Sequence, residues 1–412
     1  MLQGDNQMKV NKSETIPFAA GFPAWPLFDD EDVAVVAEVL KSGKVNRWTG
    51  QENLLFEEEF AAFTGCDYSV ALANGTVALE LALFALGVGE NDEVIVTSRS
   101  FVASASVIVA RGAIPIFADV DYVSQNVTAQ TIKPHISPRT KAIIAVHLAG
   151  WPCEMDAIMD LARHYNLKVV EDCAQALGAT YKGRSVGSLG DVAAFSFCQD
   201  KIITTGGEGG MFTTNDPDLW EKAWAFKDHG KNFSTTMQPH SSSGFRWLHD
   251  TFGTNWRMTE MQAALGRCAL RKMPEWLRAR RHHADCLTRV FKDIPGLRVT
   301  EPPHYISHAY YKYYAFVIPE KLNIGIDRNS IMNAINAFGI PCGSGSCSEI
   351  YLEEAFARAG LKPSERLRVA RNLGETSLMF LVHPTLTDEN IAQTCDVVRR
   401  VLPPESLSGG EV

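Results

Sequence analysis

The sequence contains no Cys-x-x-Cys pair, no apolar run of membrane-spanning length and no excess of basic residues. Its nine cysteines are scattered singly and odd in number, so free thiols in a reducing cytosol fit better than a disulfide framework or a zinc site. The net charge of −9 argues against a nucleic-acid backbone as the main partner. The lack of a long apolar run argues against a membrane protein. We therefore expect a cytoplasmic globular protein.

The chain also lacks internal repeats and low-complexity linkers, and residues 1–14 lack the apolar core of a signal peptide. With 412 residues, 46% of them hydrophobic and 21% charged, it is long enough for two closely packed domains. Four isolated histidines show no metal-ligand spacing, so no metal site is expected: His147, His229, His308 and His383. We expect the first residues and the tail 405–412 to be flexible.

Short apolar runs alternate with helical or turn segments up to about residue 214. The runs predict buried strands at Tyr68–Leu72, Glu93–Val96, Ile114–Ala118, Ala142–His147, Lys168–Glu171, Val192–Phe197 and Met211–Thr214. Helical periodicity predicts helices at Leu54–Phe63, Val77–Leu86, Glu260–Trp276 with Leu277–Val290 (one helix or two), Asn329–Phe338 and Ile391–Val401. Tyr311–Val317 alternates as a strand. The pattern predicts an α/β fold with a mostly parallel sheet, followed after residue 259 by a smaller α+β region.

The most informative segment is Glu171–Gly210, EDCAQALGATYKGRSVGSLGDVAAFSFCQDKIITTGGEGG. Asp172 follows one apolar run, and Lys201 follows a second and precedes a glycine-rich turn. In open α/β sheets, ligand groups gather at the carboxyl ends of strands. An acid and an amine at that edge suit a pyridine cofactor, held by its ring nitrogen on one side and by a Schiff base on the other.

This segment resembles the cofactor core of the DegT/DnrJ/EryC1/StrS family of sugar aminotransferases, which depend on pyridoxal 5′-phosphate (PLP). The shared elements, in order, are E-D-x-A-Q, G-D, F-S-F, the lysine and G-E-G-G. Supporting motifs are NGTVALELAL, SFVAS, DHGK and GTNWRMTEMQAALG. The resemblance implies an aspartate-aminotransferase-type (fold type I) structure. Its expected parts are an N-terminal arm (1–24), a large PLP-binding domain (25–258), a small C-terminal α+β domain (259–404) and a flexible tail (405–412).

The resemblance also implies roles for single residues. Lys201 would be the Schiff-base lysine, and Asp172 would keep the pyridine nitrogen protonated. The remaining cofactor-binding residues implied are Gly75, Thr76, Phe101, Gln175, Ser196 and Asn255. A capped helix after Asn74 supplies backbone N–H groups for a phosphate. A related branch of the family performs dehydration and carries histidine in place of the lysine, so Lys201 favours transamination.

Several of these residues have structural interpretations that the sequence leaves open. Phe101 either covers the pyridine face or is a core phenylalanine. Asn255 either reaches the cofactor phosphate of the neighbouring subunit or is a turn residue before the next helix. Gln175 either lies near the phenolic oxygen of the cofactor or is an ordinary polar turn residue. Ser196 either binds the phosphate or is a buried hydroxyl satisfied by the backbone.

The resemblance implies transamination of a keto-sugar, with a nucleotide-linked sugar as the expected acceptor, glutamate or glutamine as donor and a homodimer with shared active sites. Alternatives are a keto-cyclitol acceptor, an aromatic-precursor synthase and a non-catalytic regulator; the retained lysine and aspartate speak against the last. Basic candidates for the substrate are Arg47, His229 and Lys231. Many nucleotide-sugar members carry a His-Tyr-x-Pro-x-His segment after a Gly-Ile pair, but here PCGSGSCSEIY follows Gly339-Ile340, so a pocket edge of small residues is expected.

Overall fold

The computed structural model describes residues 21–238 and 245–402. The predicted arm 1–24 lies outside these residues except for 21–24, and the predicted tail 405–412 lies wholly outside them. In the part of the chain described, no helix is both long and apolar enough to cross a membrane. All nine cysteines are free.

The described residues form helices separated by short strands. The helices are α1 (Asp30–Ser42), α2 (Glu52–Thr64), α3 (Gly75–Ala85), α4 (Ala103–Ala110), α5 (Ala129–Ile132), α6 (Met155–Tyr165), α7 (Pro217–Lys227), α8 (Phe233–Met237), α9 (Glu260–Phe291), α10 (Arg328–Ala337), α11 (Glu354–Arg358), α12 (Arg368–Thr376) and α13 (Asp388–Val401). The strands are β1 (Tyr68–Leu72), β2 (Glu93–Thr97), β3 (Ile114–Ala118), β4 (Thr140–Val146), β5 (Lys168–Asp172), β6 (Thr180–Tyr181), β7 (Arg184–Ser185), β8 (Val192–Ser196), β9 (Gly210–Thr214), β10 (Leu297–Val299), β11 (Ile306–Ser307), β12 (Tyr313–Val317), β13 (Cys342–Gly343) and β14 (Ser377–Phe380).

A seven-stranded sheet organises the first half of the chain, in the order β1-β9-β8-β5-β4-β2-β3. Only β9 runs antiparallel to its neighbours, so the prediction of a mostly parallel sheet is confirmed. Ile95 and Ile143 belong to one buried core, whereas Val94 and Ile144 belong to a second core. Because successive side chains point to opposite faces, both faces are covered, which explains the continuous apolar runs.

A smaller antiparallel sheet, β10-β12-β14-β13, lies in the C-terminal part of the chain. Its core contains Leu287, Phe291, Tyr313, Phe380 and Val398, contributed by α9, β12, β14 and α13. The predicted strand Tyr311–Val317 is two residues shorter, starting at Tyr313. Tyr311 and Lys312 therefore lie in the segment just before β12, where their side chains line the candidate site.

Helix α9 is one uninterrupted helix of 32 residues, although it contains Pro274. A capping box between Thr259 and Gln262 starts it. Its first half contributes Leu270 and Met273 to a core beneath the large sheet, and its second half contributes Leu287 to the core of the small sheet. The helix therefore connects the two sheets. The domain boundary between residues 258 and 259 stays a prediction.

Candidate active site

A cavity of about 940 Å³ opens at the carboxyl ends of β5 and β8, beside the N-terminus of α3. Segments that precede β12 and follow β13 close its other side. Seven of the residues predicted from sequence line it: Gly75, Thr76, Phe101, Asp172, Gln175, Ser196 and Lys201. Residues from distant parts of the chain thus meet at one edge of the sheet, where parallel strands collect functional groups.

Asp172 is the last residue of β5, and its carboxylate is held on the cavity wall by two donors. The Ser104 hydroxyl donates to Oδ2 at 2.7 Å, and the Ala174 backbone N–H donates to Oδ1 at 3.1 Å. Burial raises the pKa of Asp172, while the hydrogen bonds from Ser104 and Ala174 oppose that rise. The two donors therefore help to keep a desolvated carboxylate ionised and fixed in direction.

Glu171, the neighbour of Asp172, belongs to a structural network behind the site. Its carboxylate accepts backbone N–H bonds from Gly187 (3.0 Å), Leu189 (2.7 Å) and Gly190 (2.8 Å). His147 Nε2 lies 2.9 Å from Glu171 Oε2, while its Nδ1 accepts the Cys153 N–H at 3.0 Å. The Nδ1 acceptor role makes Nε2 the donor. The Glu171 side chain thus ties the loop before β8 to β5.

His147 and Glu171 also approach Cys173, which the sequence spacing did not suggest. One ligand atom of each lies within 4.8 Å of the others, and all three residues are buried. The Glu171 oxygens already accept four hydrogen bonds, and both ring nitrogens of His147 are engaged. Burial also raises the pKa of the Cys173 thiol well above its ordinary value. Hydrogen bonding accounts for this cluster without a metal ion.

The start of α3 forms a cradle against the end of β8. Asn74 caps the helix, since its side chain accepts the Val77 N–H at 3.0 Å. The first N–H groups of a helix have no acceptor within it, so those of Gly75 and Thr76 are available at the cavity. A Cβ on Gly75 would lie 2.5 Å from Ser196 Cβ. Only glycine allows this close approach, which brings N–H donors and the Ser196 hydroxyl together.

Phe101 is not a core residue: 66% of it is exposed, and it lines the cavity. An aromatic ring presented this way suits a stacking partner. Gln175 is buried on the same wall, and its side-chain oxygen accepts the Ala149 N–H at 2.8 Å. This bond leaves the Gln175 NH₂ group as a donor for the cavity.

Lys201 projects into the cavity beside a tyrosine and an aspartate that sequence reasoning missed. Its Nζ lies 3.4 Å from the Tyr311 hydroxyl and 3.8 Å from Asp200 Oδ1. Tyr311 in turn donates a hydrogen bond to Asp200. The Trp25 indole N–H donates to the Lys201 backbone carbonyl at 2.8 Å, which anchors the peptide that carries the lysine.

The remaining four predicted residues do not line this cavity. Asn255 is exposed and forms a backbone bridge with Asp228. Lys231 pairs with Asp228 at 3.1 Å and lies 4.0 Å over the Trp48 ring. Arg47 is 3.8 Å from Glu57, and His229 is exposed with a left-handed φ of 61°. Within one chain, these four residues therefore lie apart from the predicted residues that line the cavity.

The family model of the DegT/DnrJ/EryC1/StrS aminotransferase family matches residues 26–399. The chain belongs to this family. The family is PLP-dependent, so the protein is identified as a PLP-dependent aminotransferase. The sequence resemblance that rests on Asp172 and Lys201 is confirmed at the level of the family.

The similarity to known relatives and to a solved structure extends over most of the chain of this aminotransferase. GDP-perosamine synthase of Caulobacter vibrioides is 35% identical over 379 residues, 92% of this chain and 97% of the relative. UDP-N-acetyl-3-dehydro-alpha-D-glucosamine 3-aminotransferase of Acidithiobacillus ferrooxidans is 35% identical over 353 residues, 86% of this chain and 89% of the relative. The X-ray structure of the aminotransferase from Psychrobacter cryohalolentis is 52% identical, with a TM-score of 0.91 over 92% of this chain and 98% of that one. The predicted fold type I is confirmed.

In this aminotransferase the pocket edge after Gly339-Ile340 is Gly345, Ser346 and Cys347, all on the cavity wall. The Ser346 N–H donates to the Tyr314 hydroxyl at 2.8 Å, and Ser100 N–H donates to the Cys347 carbonyl at 3.1 Å. The segment is therefore held by β12 and by the loop that follows β2. Sequence reasoning singled out this stretch for its small residues, whereas Tyr311 and Lys312 carried no motif that marked them.

Proposed function

We propose that this aminotransferase transfers an amino group to the keto group of a nucleotide-linked sugar, with PLP as cofactor and glutamate or glutamine as donor. The observation that carries the proposal is the single cavity in which Lys201 and Asp172 face the N-terminus of α3. The relatives named for GDP- and UDP-linked sugars support the acceptor class.

The residues of the cavity fit PLP. The N–H groups at the start of α3 and the Ser196 hydroxyl suit its phosphate, and the cradle that a Cβ on Gly75 would fill leaves room for close approach. The exposed Phe101 ring suits a pyridine face, and the buried Asp172 carboxylate suits the ring nitrogen. When bound, PLP supplies an electron sink for the substrate carbon that loses a proton.

The side chains of the chain then have separate tasks. Asp172 holds a proton on the pyridine nitrogen, and Ser104 keeps the Asp172 carboxylate in place. Lys201 would hold the cofactor, and its Nζ would move a proton at the substrate carbon. Gln175 donates a hydrogen bond from the wall.

We also propose a homodimer in which Asn255 completes the site of the second subunit. Its exposure and its position outside the cavity of its own chain support this arrangement. Arg47, His229 and Lys231 lie in the same part of the fold, around Asp228 and Trp48. In a dimer of this kind Arg47 and Lys231 provide positive charge for the diphosphate of an acceptor in the second subunit, and His229 lies beside them.

Borohydride reduction of the PLP-loaded protein tests the proposal. We expect the pyridoxyl label on Lys201 in peptide mass spectra, and a label on another lysine, or none, contradicts it. A mass-spectrometric screen of keto-sugar nucleotides with glutamate then identifies the acceptor. Calorimetric titration with UDP, GDP, CDP and dTDP checks its class, since binding of none of them, together with turnover of a free cyclitol ketone, favours the keto-cyclitol alternative.

A further inference from the structure

A second lysine, Lys312, lies on the cavity wall next to Lys201, and the proposed function assigns it no role. Lys201 and Lys312 are the two cationic side chains on the cavity wall within the described ranges. Lys312 is 19% exposed, and its Nζ lies 3.9 Å from Asp200 Oδ2. Both lysine Nζ atoms lie 4.8 Å from the centre of the Tyr311 ring. The two amines therefore flank one aromatic ring and share one carboxylate.

Around Tyr311, three cationic side chains (Lys201, Lys312 and Arg280) lie near a single carboxylate, that of Asp200. Arg280 lies behind Tyr311, is fully buried, and donates only to the carbonyls of Tyr310 and Tyr311, both at 3.3 Å. Its Nε and Nη2 have no hydrogen-bond partner among the described residues. Asp200 is the one carboxylate within 4 Å of Lys201 or Lys312 in that part of the chain, and none contacts Arg280. Desolvated cations in excess over their counter-charges favour an incoming anion.

Geometry selects the kind of anion. The phosphate of the cofactor is assigned to the N-terminus of α3, where Gly75, Thr76 and Ser196 meet. In an α-amino acid the carboxylate and the amino group are attached to the same carbon. Because the amino group reacts beside Lys201, a cation that binds the carboxylate must be adjacent to Lys201. The diphosphate of a nucleotide sugar is separated from the reacting carbon by part of the sugar ring. Lys312 lies near Lys201, beside Tyr311, so its position suits the α-carboxylate of an amino acid rather than the diphosphate.

We propose that Lys312 recognises the α-carboxylate of the amino donor, an inference that rests on the proposed function. Asp200 is half exposed, so it can turn away and release Lys312 when the ligand carboxylate arrives. Lys312 and Lys201 each lie 4.8 Å from the centre of the Tyr311 ring, so both amines are near the same ring. A partly buried cation that meets a carboxylate in a pocket contributes more to binding than a fully exposed lysine does.

Calorimetric titration of glutarate into the borohydride-reduced holoenzyme tests this role, because the fixed cofactor blocks the phosphate site. We expect Lys312→Gln to weaken glutarate binding by about tenfold or more, and Lys312→Arg to keep affinity within about threefold. Lys292→Gln is the matched control, since Lys292 pairs with Glu301 on the surface. In steady state, Lys312→Gln should raise KM for glutamate by about tenfold and leave KM for the acceptor unchanged.

Three results overturn the inference. They are unchanged glutarate affinity in Lys312→Gln, no glutarate binding by the wild type, and a loss of PLP affinity as large as the loss of glutarate affinity. If borohydride does not fix PLP to Lys201, the proposed function fails instead. The same titration on the cofactor-free protein then tests Lys312 by itself.

Discussion

At the scale of single residues, the carboxylate of Asp172 depends on the hydrogen bonds it accepts inside a buried site. Ser104 donates to it from α4, across 68 positions of the sequence. Without such donors burial would raise the pKa of Asp172 further and so disfavour its ionised form. Ser104 is therefore expected to set the lower pH limit of activity.

Replacing Ser104 by alanine should shift the acid limb of the profile of kcat/KM against pH to higher pH. The sign follows because the lost hydrogen bond stabilises the ionised form, so its removal raises the pKa of Asp172. Rates measured from about pH 5 to 9 check this shift. Ser106→Ala is the control, because Ser106 is exposed on the same helix and donates to the Ala103 carbonyl. An acid limb that stays in place in Ser104→Ala contradicts the assignment.

Asp172→Asn should keep PLP bound but slow transamination by about 10²-fold or more, because the neutral amide no longer holds a proton on the pyridine nitrogen. Absorption of the bound cofactor and single-turnover rates with glutamate measure the two quantities separately. Near-normal turnover would show that Asp172 has another role.

At the scale of elements, the contact between the first turn of α3 and the end of β8 forms the cradle that we propose binds the cofactor phosphate. Gly75 makes this contact possible, and Asn74 fixes where the helix begins. A neighbouring close approach has the same character: a Cβ on Gly210, the first residue of β9, would lie 2.3 Å from the Asn74 carbonyl oxygen. One glycine at the start of a helix and one at the start of a strand thus bring α3, β8 and β9 together.

Gly75→Ala should lower the affinity for PLP about tenfold or more. Overpacking against Ser196 should also reduce the free energy of unfolding by about 1–3 kcal/mol. Gly89→Ala is the matched control, since a Cβ there meets nothing within 4 Å. Fluorescence titration with PLP and thermal melts measure both effects. A Gly75→Ala protein that binds PLP like the wild type would rule out the cradle.

At the scale of the whole molecule, the proposal that two chains build each site explains why Asn255 is exposed and remote from the cavity of its own chain. Mixing inactive Lys201→Ala protein with inactive Asn255→Ala protein tests it. Random exchange makes half of the dimers mixed, each with one intact site, so about a quarter of wild-type activity should return. If Asn255 acts within its own subunit, no activity returns although subunit exchange is demonstrated by mass spectrometry.

Sequence alone determined the family, the mostly parallel sheet and the main cavity-lining residues. Asp172, Ser196 and Lys201 lie at or directly after buried strands, and the carboxyl ends of neighbouring parallel strands meet at one edge. That these residues lie close together can therefore be predicted from their positions at the ends of predicted strands. Helix α9 was predicted as one helix or two. The structure continues it through Pro274, and its side chains pack into the cores of both sheets.

The tertiary structure alone decided which partners surround these residues. Ser104 reaches Asp172, and Tyr311 reaches Lys201 across 110 positions, although no local motif marks either contact. It also decided that Phe101 is exposed in the cavity and that Arg47, His229, Lys231 and Asn255 lie outside it. Such contacts depend on the order of the strands in the large sheet and on how the small sheet packs against the rest of the chain. The periodicity of the sequence contains no information about either.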